Sequence, residues 1–138
     1  MISAIDHVVL VVRDFERALA FYREVLGCQW LGVEEWRQGR RRFPSLRAGR
    51  NMLNVHQAGQ AVNPEARNPQ PGSEDLCFVW DGPIDTAIER LKEYDVPIEI
   101  GPVKRFGARG VEGTSVYFRD PDGNLLELMS YEGRVRGQ

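Results

Sequence analysis

Histidine and cysteine are the scarce residues of this 138-residue chain, with two of each. Cys28 and Cys77 lie far apart in separate apolar stretches, and neither is spaced closely to a histidine. That excludes a disulfide framework and a paired-cysteine zinc clip, and leaves two buried thiols as the expectation. No apolar run is long enough to span a bilayer, and the first residues carry no basic-apolar-cleavage pattern, so a cytoplasmic protein is expected. A surplus of either charge is also missing. Eighteen Lys and Arg stand against twenty Asp and Glu, a net charge of −2, which gives no footprint for nucleic acid or an acidic membrane. The local cluster Arg37, Arg40, Arg41, Arg42 is offset by Glu34 and Glu35. With 42% hydrophobic and 28% charged residues the composition is that of a globular protein, one domain or two small halves sharing a core.

What is present is a pattern that occurs twice. Ile5 to Val12 is a β-branched run with apolar residues of both parities, a strand covered on both faces. Asp14 then offers an N-cap, and Phe15, Ala18, Leu19, Tyr22, Val25 and Leu26 follow at helical spacing until Gly27 closes the helix. Three strands are expected next, at 29–34, 42–47 and 52–56. Residues 59–73 change to Ala, Asn, Pro, Gly and Gln without periodicity and read as a linker. The pattern then restarts with a strand at 74–80, a turn at Asp81-Gly82-Pro83 and a helix carrying Ile84, Ala87, Ile88 and Leu91. A short strand at 98–100, a basic glycine-rich loop at 101–113 and strands at 114–119 and 124–129 complete it. Asp120-Pro121-Asp122-Gly123 between the last two is strong hairpin chemistry. Each half therefore reads β-α-β-β-β, with module one at 1–58, the linker at 59–73, module two at 74–131 and a tail at 132–138.

Within this duplicated frame His7 corresponds to Asp75 at the start of each first strand, and His56 is matched with Glu127 late in each last strand. Taken singly, each has a plain reading: a satisfied histidine, a strand-end surface residue, a strand-start polar residue, a solvated glutamate. Taken together, both histidines of the chain and two carboxylates fall on first and last strands. If each sheet packs its helix on one face, the other face can curl into a cup lined by all four. Two imidazoles with one or two carboxylates form a donor set suited to one divalent ion: Fe, Mn, Ni or Zn.

Three stretches carry a resemblance: Ile5-Asp6-His7-Val8-Val9-Leu10, Ala18-Leu19-Ala20-Phe21-Tyr22-Arg23-Glu24-Val25-Leu26-Gly27, and Tyr117-Phe118-Arg119-Asp120-Pro121-Asp122-Gly123-Asn124-Leu125-Leu126-Glu127. With them the chain resembles the vicinal oxygen chelate superfamily of glyoxalase I, fosfomycin-resistance proteins, bleomycin-resistance proteins and extradiol dioxygenases. The likeness covers both modules and is nearest to the short glyoxalase-like proteins. It implies an α+β fold of two βαβββ modules forming a curved mixed-sheet cup around a divalent metal, with His7, His56 and Glu127 as ligands. Asp75 departs from the histidine that fosfomycin-resistance and extradiol enzymes carry there, and is either a further ligand or a base. Tyr117, ten residues before Glu127, matches a substrate-touching tyrosine, with a rim aromatic as its plain alternative. The loop Lys104 to Gly110 either closes on an anionic substrate or is simply solvated.

The resemblance implies a small-molecule substrate that chelates the metal through neighbouring oxygens, in lyase, isomerase or ring-cleaving dioxygenase chemistry. The competing class is a drug-sequestering protein of the bleomycin-resistance type, without catalysis. No nucleic-acid or membrane partner is expected. A homodimer is, because the relatives of this length close their cups by pairing modules across chains; Trp30, Leu31, Trp36 and Met129 are candidate contacts, with core membership as their alternative.

Overall fold

The computed structural model describes residues 1–132, so most of the expected tail lies outside the described residues. The chain divides into a first unit, Met1–Ser73, and a second that begins at Glu74, each with its own four-stranded mixed sheet. The boundary falls at the end of the stretch read as a linker.

In the first unit β1 (His7–Val12) leads into α1 (Phe15–Glu24). The Asp14 side chain caps the helix by accepting from the amides of Glu16 and Arg17. After α1, Gly27 sits at φ 68° and lets the Cys28 amide donate back to the Tyr22 carbonyl. Strand β2 spans only Gln29–Leu31, and α2 (Val33–Arg37) follows where continued strand was expected. The reason is local: Gly32 turns the backbone left-handed at φ 70°, Trp36 packs tilted against Phe15 with centroids 4.6 Å apart, and Arg37 pairs with Glu16 and Glu34. Strands β3 (Ser45–Ala48) and β4 (Asn51–Gln57) complete the sheet in the order β1-β4-β3-β2, with β1 and β4 parallel.

Alternation sorts the two faces. Leu10, Val12, Leu46, Leu53 and Val55 are buried on the face that packs the helix, and the Trp30 indole donates to the Leu19 carbonyl of α1. The opposite, helix-free face carries His7, Val9, Asn54, His56, Ser45 and Arg47 by register.

The second unit repeats this plan with β5 (Asp75–Val79), α3 (Ile84–Glu93), β6 (Ile100–Phe106), β7 (Glu112–Arg119) and β8 (Leu125–Ser130), ordered β5-β8-β7-β6. Ile84, Ala87 and Leu91 of α3 are fully buried, as are Leu126, Val116 and Phe118 of β7 and β8. Much of the basic stretch expected as loop is strand β6. It tolerates Pro102 because β6 is an edge strand and the register shifts between Ile100 and Val103. Gly101, at φ 119°, is required there, since a Cβ would stand 2.6 Å from the Ser115 carbonyl.

Trp30, Trp36 and Met129 pack inside their own units: Trp30 lies edge-on to Phe15 at 5.2 Å, Trp36 packs tilted against the same ring, and Met129 is 3% exposed. Met129 is therefore a core residue, while Trp30 and Trp36 are half-buried.

Candidate functional site

In the second unit, alternation puts Asp75, Cys77, Glu127, Tyr117 and Arg119 on the helix-free face. Cys77, Glu127 and Tyr117 are direct neighbours across β5, β8 and β7, because Cys77 registers with Glu127 and Glu127 with Tyr117. Asp75 registers with Leu125, one diagonal step from Glu127. Strand spacing then sets the two carboxylate-bearing Cα atoms roughly 8 Å apart on one face. Glu127 is half-buried and Asp75 exposed.

The electrostatics of the pair show on the thiol between them. Burial first, then the Glu127 charge and hydrogen bond, then the Asp75 charge, push the Cys77 thiol up to about 12. The residue as a whole is still open to solvent, so the two carboxylates are the part of this shift specific to the site. Among the described residues no Lys or Arg lies within ion-pair distance of Asp75 or Glu127. Arg119 feels the Asp75 charge but spends its guanidinium on Glu99, at 2.9 and 3.3 Å. Tyr117 is held rather than loose: Arg105 Nε donates to its hydroxyl at 3.1 Å, with the guanidinium 5.6 Å from the ring centroid.

In the first unit His7 is exposed, and its Nδ1 lies 2.8 Å from Asp6 Oδ2. With Nδ1 as the donor of this contact, Nε2 would be the nitrogen open to a metal, the arrangement that orients a metal-binding imidazole.

His56 does not join it. Both histidines are on the helix-free face, but His7 registers with Met52 and His56 with Val11. They are four residues apart along the sheet, about 13 Å, and both project perpendicular to it, too far to share one ion. The His56 ring instead lies 4.8 Å from the Phe43 centroid and is 8% exposed. Burial lowers its pKa, opposed by Glu65 and assisted by Arg42.

The same register corrects the internal match. His7 pairs with Met52 as Asp75 pairs with Leu125, so the equivalence of His7 and Asp75 stands. Two residues on, Val9 pairs with Asn54 as Cys77 pairs with Glu127. The counterpart of Glu127 is therefore Asn54, and that of His56 is Met129. Asn54 was missed, and so were its partners: Ser45 Oγ donates to Asn54 Oδ1 at 2.8 Å, and Arg41 Nη2 donates to Ser45 Oγ at 2.9 Å. The available signal was one step away, since Asn54 alternates with Met52 and His56 on one strand face.

Among the described residues, no three His, Cys, Asp or Glu side chains gather in a group able to hold a metal. The histidine donor lies in the first unit and the carboxylate pair in the second.

Two units with the same mixed-sheet order, each with its first and last strands parallel, define a chain of the glyoxalase class. It belongs to the Glyoxalase/Bleomycin resistance protein/Dioxygenase superfamily, whose family model matches residues 4–128. A virulence protein of Salmonella typhimurium is 39% identical, with a TM-score of 0.85 over 96% of this chain and 99% of that one. A lactoylglutathione lyase from Agrobacterium tumefaciens is 28% identical, with a TM-score of 0.65 over 94% of each chain. Fosfomycin resistance protein FosX of Listeria monocytogenes is 30% identical over 128 residues, 93% of this chain and 90% of that one. Among the described residues no helix is long and apolar enough to cross a membrane.

Proposed function

We propose that the protein is a metal-dependent enzyme of lyase or isomerase type, acting on a small molecule that chelates the ion through two neighbouring oxygens. One observation carries this: Asp75 and Glu127 stand diagonally on one sheet face, and among the described residues no cationic side chain is in ion-pair reach. Two adjacent carboxylates repel, and a divalent cation between them removes that repulsion. His7 supplies an imidazole whose Nδ1 is held by Asp6. One imidazole with two carboxylates is a borderline-hard set that fits Mn, Fe, Ni or Zn. In this assignment Asp75 is the third donor and His56 is not a ligand. The bound ion would act as a Lewis acid on developing enolate or alkoxide charge. The Tyr117 hydroxyl accepts from Arg105, which leaves its own proton to donate to a substrate oxygen and fix its orientation. The likeness to a lactoylglutathione lyase supports the lyase reading. The working unit in this reading is a homodimer.

The test is titration of metal-stripped protein with Mn(II) by calorimetry. Wild type is expected to bind one ion per chain, and His7→Asn, Asp75→Asn and Glu127→Gln each to weaken it at least tenfold, while His56→Asn binds like wild type. Loss of binding in His56→Asn with retention in Asp75→Asn would overturn the assignment. Absence of any metal binding would leave a non-catalytic binder.

A further inference from the structure

Arg41 is an exposed arginine tied at two nitrogens, one of them to a buried side chain. Its neighbour Arg37 is neutralised by Glu16 and Glu34, whereas Arg41 has no carboxylate in ion-pair reach among the described residues. Its Nε donates to the Phe43 carbonyl at 2.8 Å and its Nη2 to Ser45 Oγ at 2.9 Å. Ser45 is 1% exposed and in turn donates to Asn54 Oδ1. Gly32 completes the seat, because a Cβ there would overlap the Arg41 guanidinium. The acceptors on Arg41 are all neutral, so the fork is fixed in direction with its charge unspent.

The seat lies on the helix-free face, since Ser45 registers with Asn54 and Asn54 with Val9. Arg47 shares that face two residues along β3, in the row that runs through Met52 to His7. Like Arg41, it has no carboxylate within ion-pair reach among the described residues.

We infer that this face binds an oxyanion of the substrate through Arg41, preset by Ser45 and Asn54, with Arg47 beside it. The ligand chemistry is a carboxylate or a phosphonate or phosphate group, which a guanidinium fork meets with two parallel hydrogen bonds. Two strand spacings separate β1 from β3, so the charged group sits on the order of 10 Å from a centre held by His7. The inference deepens the proposed function by making its substrate an anion, and rests on that function only for what the anion is attached to.

The experiment uses metal-stripped full-length protein at low ionic strength. Methylphosphonate and acetate are titrated in separate arms, followed by the arginine Nε–H and backbone amide NMR signals. One arm is expected to shift Arg41, Ser45 and Asn54 together, and the stronger arm identifies the anion class. Arg41→Gln is expected to weaken that anion at least tenfold. Arg41→Lys, which keeps the charge and loses the fork, is expected to weaken it at least fivefold. Ser45→Ala, which keeps the guanidinium and loosens its seat, is expected to weaken it about threefold and serves if the Arg41 variants do not fold. Arg50→Gln should change nothing. Binding within twofold of wild type in both Arg41 variants, or in Ser45→Ala if those do not fold, would overturn the inference, as would shifts spread evenly over the exposed arginines. A purely structural Arg41 would lower thermal stability and leave anion binding intact. Because no metal is present, a chain that binds the anion at Arg41 yet never binds Mn(II) removes the metal proposal and keeps this one. The reverse result removes this one alone.

Discussion

Replacing Asn124 by alanine should cost more than any other single change in the turn between β7 and β8. Asn124 is fully buried, its Oδ1 accepts from the Glu74 amide at 2.8 Å, and its Nδ2 donates to Asp120 Oδ2 at 2.7 Å. Asp120, 6% exposed, also accepts from the amides of Asp122 and Asn124. Alanine removes both side-chain bonds at once. A half-buried amide that loses its acceptor costs roughly 1 kcal/mol, and a buried carboxylate that loses a donor about 1.5–3 kcal/mol. The expected loss is therefore about 2.5–4 kcal/mol, read from urea unfolding followed by circular dichroism, with an unchanged m-value. Asn124→Asp separates the two bonds. It keeps the acceptor for Glu74 but sets a second carboxylate against Asp120. One carboxyl of that pair then has a folded pKa above its unfolded value of about 3.9, so the folded state holds more protons and the variant recovers stability as pH falls. It should lie closer to wild type at pH 5 than at pH 7. Since Glu74 precedes Asp75 and anchors β5 to β8, both variants should also weaken Mn(II) several-fold without touching a donor. A loss below about 1 kcal/mol in Asn124→Ala, or a pH trend of opposite sign in Asn124→Asp, would refute the reasoning.

Burial lowers the His56 pKa, so between about 6.5 and its folded value the unfolded chain takes up more protons. Stability should fall as pH drops from 7 through that window and then level off; urea midpoints at pH 7.5, 6.5 and 5.5 should show this slope in wild type and a flatter one in His56→Asn. Cys77, its thiol held up to about 12 by burial and two carboxylates, should be alkylated by iodoacetamide at pH 8 at least tenfold more slowly in the folded protein than in the unfolded chain. Glu127→Gln should speed that reaction severalfold, and an unchanged rate, followed by mass spectrometry, would separate the thiol from the carboxylate pair. The homodimer should appear as twice the chain mass by light scattering at micromolar concentration; a monomer with one Mn(II) bound would mean that each chain completes its own site.

Much of the fold was legible because its signals are local. Asp14 before Phe15, the period through Ala18 and Tyr22, and the turn Asp120-Pro121-Asp122-Gly123 each specify structure within a few residues. Helix α2 escaped because five residues are too few to show a helical period, and what holds it is Trp36 on Phe15, a contact made from α1. Strand β6 escaped for the opposite reason. Its local signals, Gly101-Pro102 followed by Lys104 and Arg105, belong to loops, and only pairing with β7 across a register shift makes it strand.

The site shows a limit of another kind. Strand alternation detects a register slip of one residue, because every side chain changes face, but it is blind to a slip of two. Matching His56 with Glu127 kept the parity and so passed every test that period could offer. Only hydrogen-bonded pairing with β1 exposes the slip and puts Asn54 in the place of Glu127. The correction changes the chemistry as well as the numbering. At equivalent places the first unit has His7 and Asn54 and the second has Asp75 and Glu127. Among the described residues the second unit thus holds two carboxylates without an ion-pair partner, and the first holds a neutral amide that anchors, through Ser45, an arginine without one. Under the two proposals the second unit's carboxylates would take a cation and the first unit's arginine an oxyanion. A substrate that chelates a metal and carries a separate negative group would satisfy both.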